Sequence, residues 1–171
     1  VGSTDEARWL SEAEMAAWLP LINIAMQLPA KLDTQLRSDS GLTHYEFMVL
    51  SQLSQAEGRK MGLSALADAA NSSPSRLSHV LRKLGESGWL VRHATGRSAY
   101  AELTADGLAV LDAAARGHVE EVRRRVFDSL DPGDVKALAT VLPKISASLG
   151  DPGSHSGHRG QATQQEIPRR A

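Results

Sequence analysis

Apolar residues return every three or four positions along most of this chain, and nearly every such run opens on a residue suited to cap a helix. Ser11-Glu12-Ala13-Glu14 has the form of a capping box, in which hydroxyl and glutamate reciprocally satisfy free amides of a first helical turn. Leu10 and Met15 are spaced as the accompanying hydrophobic staple. Trp18, Leu21, Ile22, Ala25, Leu28, Leu32 and Leu36 then follow at helical spacing. Pro20 and Pro29 fall inside this run. Each removes an amide donor and crowds the preceding turn, which predicts a kinked rod or two to three helical pieces. Thr43-His44-Tyr45-Glu46 repeats the capping box ahead of Phe47, Leu50 and Leu53, and Glu57-Gly58 closes that second helix.

The next stretch is denser in information. A short helix over residues 64–70, with Leu63, Leu66, Ala67 and Ala70 inward, is cut by Asn71-Ser72-Ser73. Pro74 then stands where a new helix tolerates proline, in the first turn. Over residues 74–87, Leu77, Val80, Leu81 and Leu84 make one apolar stripe, while Ser75, Arg76, His79, Arg82 and Lys83 lie elsewhere on the cylinder. After Gly88, residues 89–93 and 98–103 read as two strands around the turn Ala94-Thr95-Gly96-Arg97. Thr104 caps a long helix reaching about residue 129. Asp131 caps a last one, with Pro132 as its first residue and Pro143 expected to bend it. Residues 1–10 are mostly polar, with Trp9 as the one aromatic, which predicts a flexible N-terminus, and the Gly, Pro, Ser, His and Gln of residues 150–171 predict a disordered tail.

These elements predict a mainly α fold with a small β-hairpin wing. A short helix, a three-residue polar turn, an amphipathic helix and a hairpin, in that order, make a winged helix-turn-helix. Packing the second of these helices on the first through Leu66, Ala67, Leu77 and Leu81 leaves its polar side outward. A helix about 10–12 Å across fits a major groove about 12 Å wide. On this reading Ser73, Ser75, Arg76 and His79 approach base edges, Arg82 and Lys83 meet phosphates, and Arg92 on the first wing strand adds to the DNA-facing cations. Arg76 is the candidate for bidentate reading of a guanine. Arg97, at the wing tip, is placed to enter an adjacent minor groove.

Charge strengthens this picture only when it is divided along the chain. The net charge is −1. Residues 58–98 nevertheless hold seven basic side chains against two acids, Asp68 and Glu86, while the remainder holds twelve against eighteen. A basic segment on an otherwise acidic protein favours an anionic partner. At 171 residues the chain is long enough for one domain with a real core, and it contains no cysteine, which excludes disulfides and thiolate catalysis and fits a reducing cytoplasm. No apolar run approaches the roughly 20 residues of a membrane span. A phosphate-binding Gly-rich loop, a His-Glu-x-x-His pair and a Gly-x-Ser-x-Gly elbow are all missing, so no enzyme activity, metal or cofactor is expected.

The ordered set of residues resembles the multiple-antibiotic-resistance-regulator (MarR) family of bacterial winged-helix regulators over about residues 42–111. The likeness runs through Leu42-Thr43 with Phe47-Met48-Val49-Leu50, Leu63-Ser64-Ala65-Leu66-Ala67, Ser73-Pro74-Ser75 and Leu81-Arg82-Lys83-Leu84. It continues in Gly88-Trp89-Leu90-Val91-Arg92 and Leu103-Thr104-Ala105-Asp106-Gly107. At two places the chain departs: Thr95 stands where such wings carry Asp, and the spacing from Gly88 to Arg97 is about three residues short. The resemblance implies a six-helix subunit in an intertwined homodimer, with residues 11–41 and 105–149 as dimerisation region and 42–104 as DNA-binding domain. It also implies a palindromic double-stranded DNA site, repression, and release by a small aromatic or phenolic acid. The effector cavity it implies is lined by Trp18, Ile22 and Met26 of the first helix, His44, Phe47 and Met48 of the second, and the start of the fifth. A winged helix can instead dock a partner protein without reading DNA; weak salt dependence of DNA retention would mark that case.

Overall fold

The computed structural model describes residues 7–95 and 98–149. Within them the order is α1 (Glu12–Ser40), α2 (His44–Gln55), β1 (Lys60–Gly62), α3 (Leu63–Ala69), α4 (Pro74–Glu86), β2 (Leu90–Thr95), β3 (Ser98–Leu103), α5 (Ala105–Val122) and α6 (Pro132–Ser148). The expected tail at 150–171, residues 1–6 of the expected flexible N-terminus, and the wing-tip Gly96 and Arg97 lie outside the described residues.

Local capping sets most of the helix starts. Ser11 with Glu14, Thr43 with Glu46 and Asp131 with Asp134 all form complete capping boxes. Ser73 and Thr104 cap α4 and α5 with their hydroxyls alone. α1 ends at Gly41, whose φ of 72° lets its amide donate back to Arg37 O at 3.2 Å.

Two expectations need correction. α1 is one continuous helix of 29 residues through Pro20 and Pro29, rather than two or three pieces. Each proline removes one i→i−4 bond, and its fixed φ is itself helical, so intact turns on either side carry the helix across the gap. The second correction concerns the wing. Ala94 pairs with Ala99 and Thr95 with Ser98, so the strands extend further than the four-residue turn assumed. The hairpin also gains a third strand, because Lys60, Met61 and Gly62 pair antiparallel with Glu102, Ala101 and Tyr100. At the far end of the chain, α5 continues as a π-helical turn over Arg123–Phe127, and α6 runs on through Pro143.

The core lies in the winged lobe. Leu36, Leu42, Val49, Leu50, Leu53, Leu66, Leu81 and Leu84 are fully buried, joining the end of α1 to α2, α3 and α4. Each such leucine contributes about 1.5–3 kcal/mol of burial. The rest of the molecule is quite different. All of residues 12–20 are exposed, and no residue of α6 is buried, although both helices carry apolar stripes. Leu10 and Met15, spaced as a staple, are also exposed.

Candidate nucleic-acid interface

α4 behaves as its pattern predicted. Leu77, Val80, Leu81 and Leu84 are buried, and Ser75, Arg76, His79, Arg82 and Lys83 are exposed. Ser73, also exposed, uses its Oγ to accept from Arg76 N at 3.3 Å, so its hydroxyl shapes the first turn as well as facing outward. An open groove between α3 and α4, lined by Leu63, Ala67, Leu77, Leu81 and Arg92, sets the exposed Arg92 of β2 beside α4. Arg97 lies outside the described residues.

The three cations of α4 have different surroundings. Arg82 Nη1 lies 2.8 Å from Glu86 Oε1, an exposed i, i+4 pair of little energetic weight that a phosphate could displace. Lys83 Nζ lies 2.6 Å from Oε1 of Glu46, a carboxylate only 2 % exposed. Glu46 Oε2 meanwhile accepts from Thr43 N at 2.8 Å as the capping-box partner. Burial works to raise the Glu46 pKa, but the Lys83 ammonium and the Thr43 amide and hydroxyl prevail and hold it below the ordinary glutamate value. Lys83 therefore ties α4 to α2 and has less freedom to meet a phosphate than Arg82. Arg76 has a third kind of neighbour, the ring of Tyr45, with its Cζ 4.2 Å from the ring centroid.

The six residues expected to line one effector cavity are not gathered in a single chain. His44 and Met48 are half-buried on α2 and Phe47 is buried in the core. Trp18, Ile22 and Met26 are exposed on the bare half of α1, at 45 %, 37 % and 74 %. α1 meets the start of α2 at Asp33, whose Oδ1 accepts from His44 N at 2.9 Å. Trp18 lies roughly 22 Å up the helix axis from there, at 1.5 Å per residue. The separation follows from the unbroken helix, since a break at Pro29 would have let the first piece fold back.

His44 instead faces His118 of α5, with ring centroids 5.7 Å apart, and His118 packs on Phe47 at 4.5 Å. Sequence reasoning missed His118, Asp33 and Tyr45, and found Glu46 only as a capping residue, without its pairing to Lys83. Their partners lie on other helices, and no spacing rule relates them. Burial lowers the pKa of both imidazoles, assisted at His118 by the charge of His44 and opposed at His44 by Asp33. A histidine with a lowered folded pKa takes up its proton more readily after unfolding. Stability is therefore retained above the ordinary value of 6.5 and lost as pH falls from there through the folded values. Thermal melting should show its highest Tm above about pH 7 and decline towards pH 5, above the carboxylate range. His118→Gln should flatten that decline, and an unchanged slope would show that this pair is not its source.

Among the described residues no three His, Asp or Glu gather as a metal site, and no helix is long and apolar enough to cross a membrane.

No family model matches the chain, and neither does any curated protein. Solved structures do. Sco3205 of Streptomyces coelicolor, a MarR family transcriptional regulator crystallised in complex with DNA, is 35 % identical with a TM-score of 0.79, over 86 % of this chain and 94 % of that one. AbsC, a MarR family transcriptional regulator from the same organism, is 34 % identical with a TM-score of 0.77, over 84 % and 98 %. BpsR of Bordetella bronchiseptica, whose DNA binding is regulated by 6-hydroxynicotinic acid, shares the fold at 23 % identity and a TM-score of 0.66, over 76 % and 98 %. The likeness in sequence and in three dimensions, over nearly the whole of these relatives, places the chain in the MarR family of transcriptional regulators.

Proposed function

We propose that this protein is a cytoplasmic, homodimeric repressor that reads a palindromic DNA operator and leaves it when a small aromatic acid binds. The observation that carries the reading is the exposed face of α4, which presents Ser75, Arg76, His79 and Arg82 from a helix anchored in the core by Leu77, Val80, Leu81 and Leu84. Ser73, Ser75, Arg76 and His79 stand at or near base edges. Arg82, Arg92 and Arg97 meet the backbone and the minor groove, with Lys83 adding charge from its pair with Glu46. Residues 42–104 form the DNA-binding domain. Residues 11–41 and 105–149 form the dimer, because the bare stripes of α1 and α6 need a partner that the described residues do not supply. A two-fold dimer would set the two α4 helices about 34–36 Å apart, one turn of DNA.

Sco3205 supports the DNA partner by its complex, and BpsR supports release by an aromatic acid. In the dimer, the partner's copy of α1 is the means by which Trp18, Ile22 and Met26 could approach His44, Phe47 and Met48 across a shared cavity.

Salt titrations of binding to duplex DNA test the proposal. The logarithm of affinity should fall linearly with that of salt concentration, and Arg82→Ala, Arg92→Ala or Arg97→Ala should each reduce the slope by about two, one contact from each subunit of the dimer. Repeating the titrations with 6-hydroxynicotinate and related aromatic acids should weaken binding. A salt-independent interaction would favour a protein-docking module instead.

A further inference from the structure

We propose that Tyr45 is a positioning residue for DNA specificity, its ring holding the Arg76 guanidinium ready to read a base. The inference rests on the assignment of Arg76 to base contact made above. Arg76 is exposed, and a free arginine there would sample many rotamers and lose that freedom on binding. Its guanidinium lies instead over the Tyr45 ring at 4.2 Å, within the range of a cation–π contact. Among the described residues no carboxylate pairs with it, unlike Arg82, held by Glu86, or Lys83, held by Glu46. Among the described residues no hydrogen bond or ion pair occupies the guanidinium N–H groups, so donors remain to bond a base while the ring holds the cation.

The ring is well anchored. The preceding residue, His44, donates its amide to Asp33 of α1, and the following residue, Glu46, grips Lys83 on the helix that carries Arg76. Tyr45 is thus fixed from both neighbours in the sequence. Its Oη is buried and has no hydrogen-bond partner among the described residues, so the ring face is the working part. Phenylalanine should therefore replace tyrosine without loss.

The test uses the full chain and a duplex library with a randomised stretch of about 20 base pairs, long enough for two half-sites. Affinities are then measured on the selected duplex and on its single-position derivatives. Arg76→Ala should relax the preference at one symmetric position, which identifies the base it reads. Tyr45→Phe should keep the wild-type preference. Tyr45→Leu should weaken the preference at that same position roughly three- to tenfold, leave the salt slope unchanged, and add nothing in an Arg76→Ala background. Tyr45→Met carries the same expectation and stands in should the leucine variant melt early. If Arg76→Ala leaves every preference intact, the base-reading assignment fails and the proposal falls with it. If Arg76→Ala relaxes the preference but Tyr45→Leu and Tyr45→Met do not, only the positioning role is overturned. A Tyr45→Leu loss that persists in full without Arg76 would make Tyr45 a general structural residue and also overturn it.

Discussion

Ile22→Asp combined with Leu142→Asp should give a monomer with an intact winged lobe and an affinity for duplex DNA lower by about two to three orders of magnitude. On α1, Met15, Trp18, Leu19, Ile22 and Met26 lie at helical spacing on one side, and all are exposed. On α6, Val135, Val141, Leu142 and Ile145 are exposed in the same way, as is its C-cap Leu149, with no buried residue anywhere on that helix. Apolar surface of this extent is favourable to cover at about 25 cal/mol per Å². Two carboxylates placed in it would have to be desolvated without partners, which costs more than the contacts return. The core residues of α2, α3 and α4 touch neither site, so the lobe should still melt cooperatively. The loss in DNA affinity is an avidity effect. A second recognition helix held beside the first binds at millimolar effective concentration, and a monomer forfeits that. Light scattering after size exclusion, with DNA titrations on the same sample, measures both quantities. A dimer that persists with unaltered affinity would remove α1 and α6 from the interface.

Gly107→Ala should have the other large effect, this time on folding. Gly107 is buried in the first turn of α5, where an added Cβ would lie 2.0 Å from Trp89 O and 2.8 Å from both Trp89 C and Leu103 Cδ1. The obstacle is backbone, and it is held in place. Trp89 O already accepts from Thr104 N at 3.1 Å, and Thr104 Oγ1 donates to Gly88 O at 2.8 Å. These bonds join the start of α5 to the foot of the wing, so relieving the clash means opening that junction. Overpacking against side chains costs about 1–3 kcal/mol, and a fixed backbone puts this variant at or above the top of that range, with a Tm lower by about 10 °C. Gly117→Ala is the matched control. Its Cβ would meet only Asp39 Oδ2 at 3.2 Å and Gln35 Nε2 at 3.3 Å, the ends of side chains on α1 that can shift. Equal melting temperatures for the two variants would show that the close approach at Trp89 is not the constraint described.

The chain's own order of residues determined the helix starts, the amphipathic face of α4, the two wing strands and hence the winged helix-turn-helix. The bonds involved close within a few residues, as in the boxes at Ser11, Thr43 and Asp131, or repeat with the period of one element. Tertiary structure alone decided the rest. The strand at Lys60–Gly62 is too short to show alternation and exists only because β3 offers it an edge. The continuity of α1 depended on whether turns beyond Pro20 and Pro29 would hold, and that continuity carried Trp18 away from His44. The grip of Glu46 on Lys83, of Tyr45 on Arg76 and of His44 on His118 likewise depends on where separate helices come to lie against one another. Such contacts leave no periodic trace in a sequence, because the angle and depth of helix packing set them rather than the spacing along either helix.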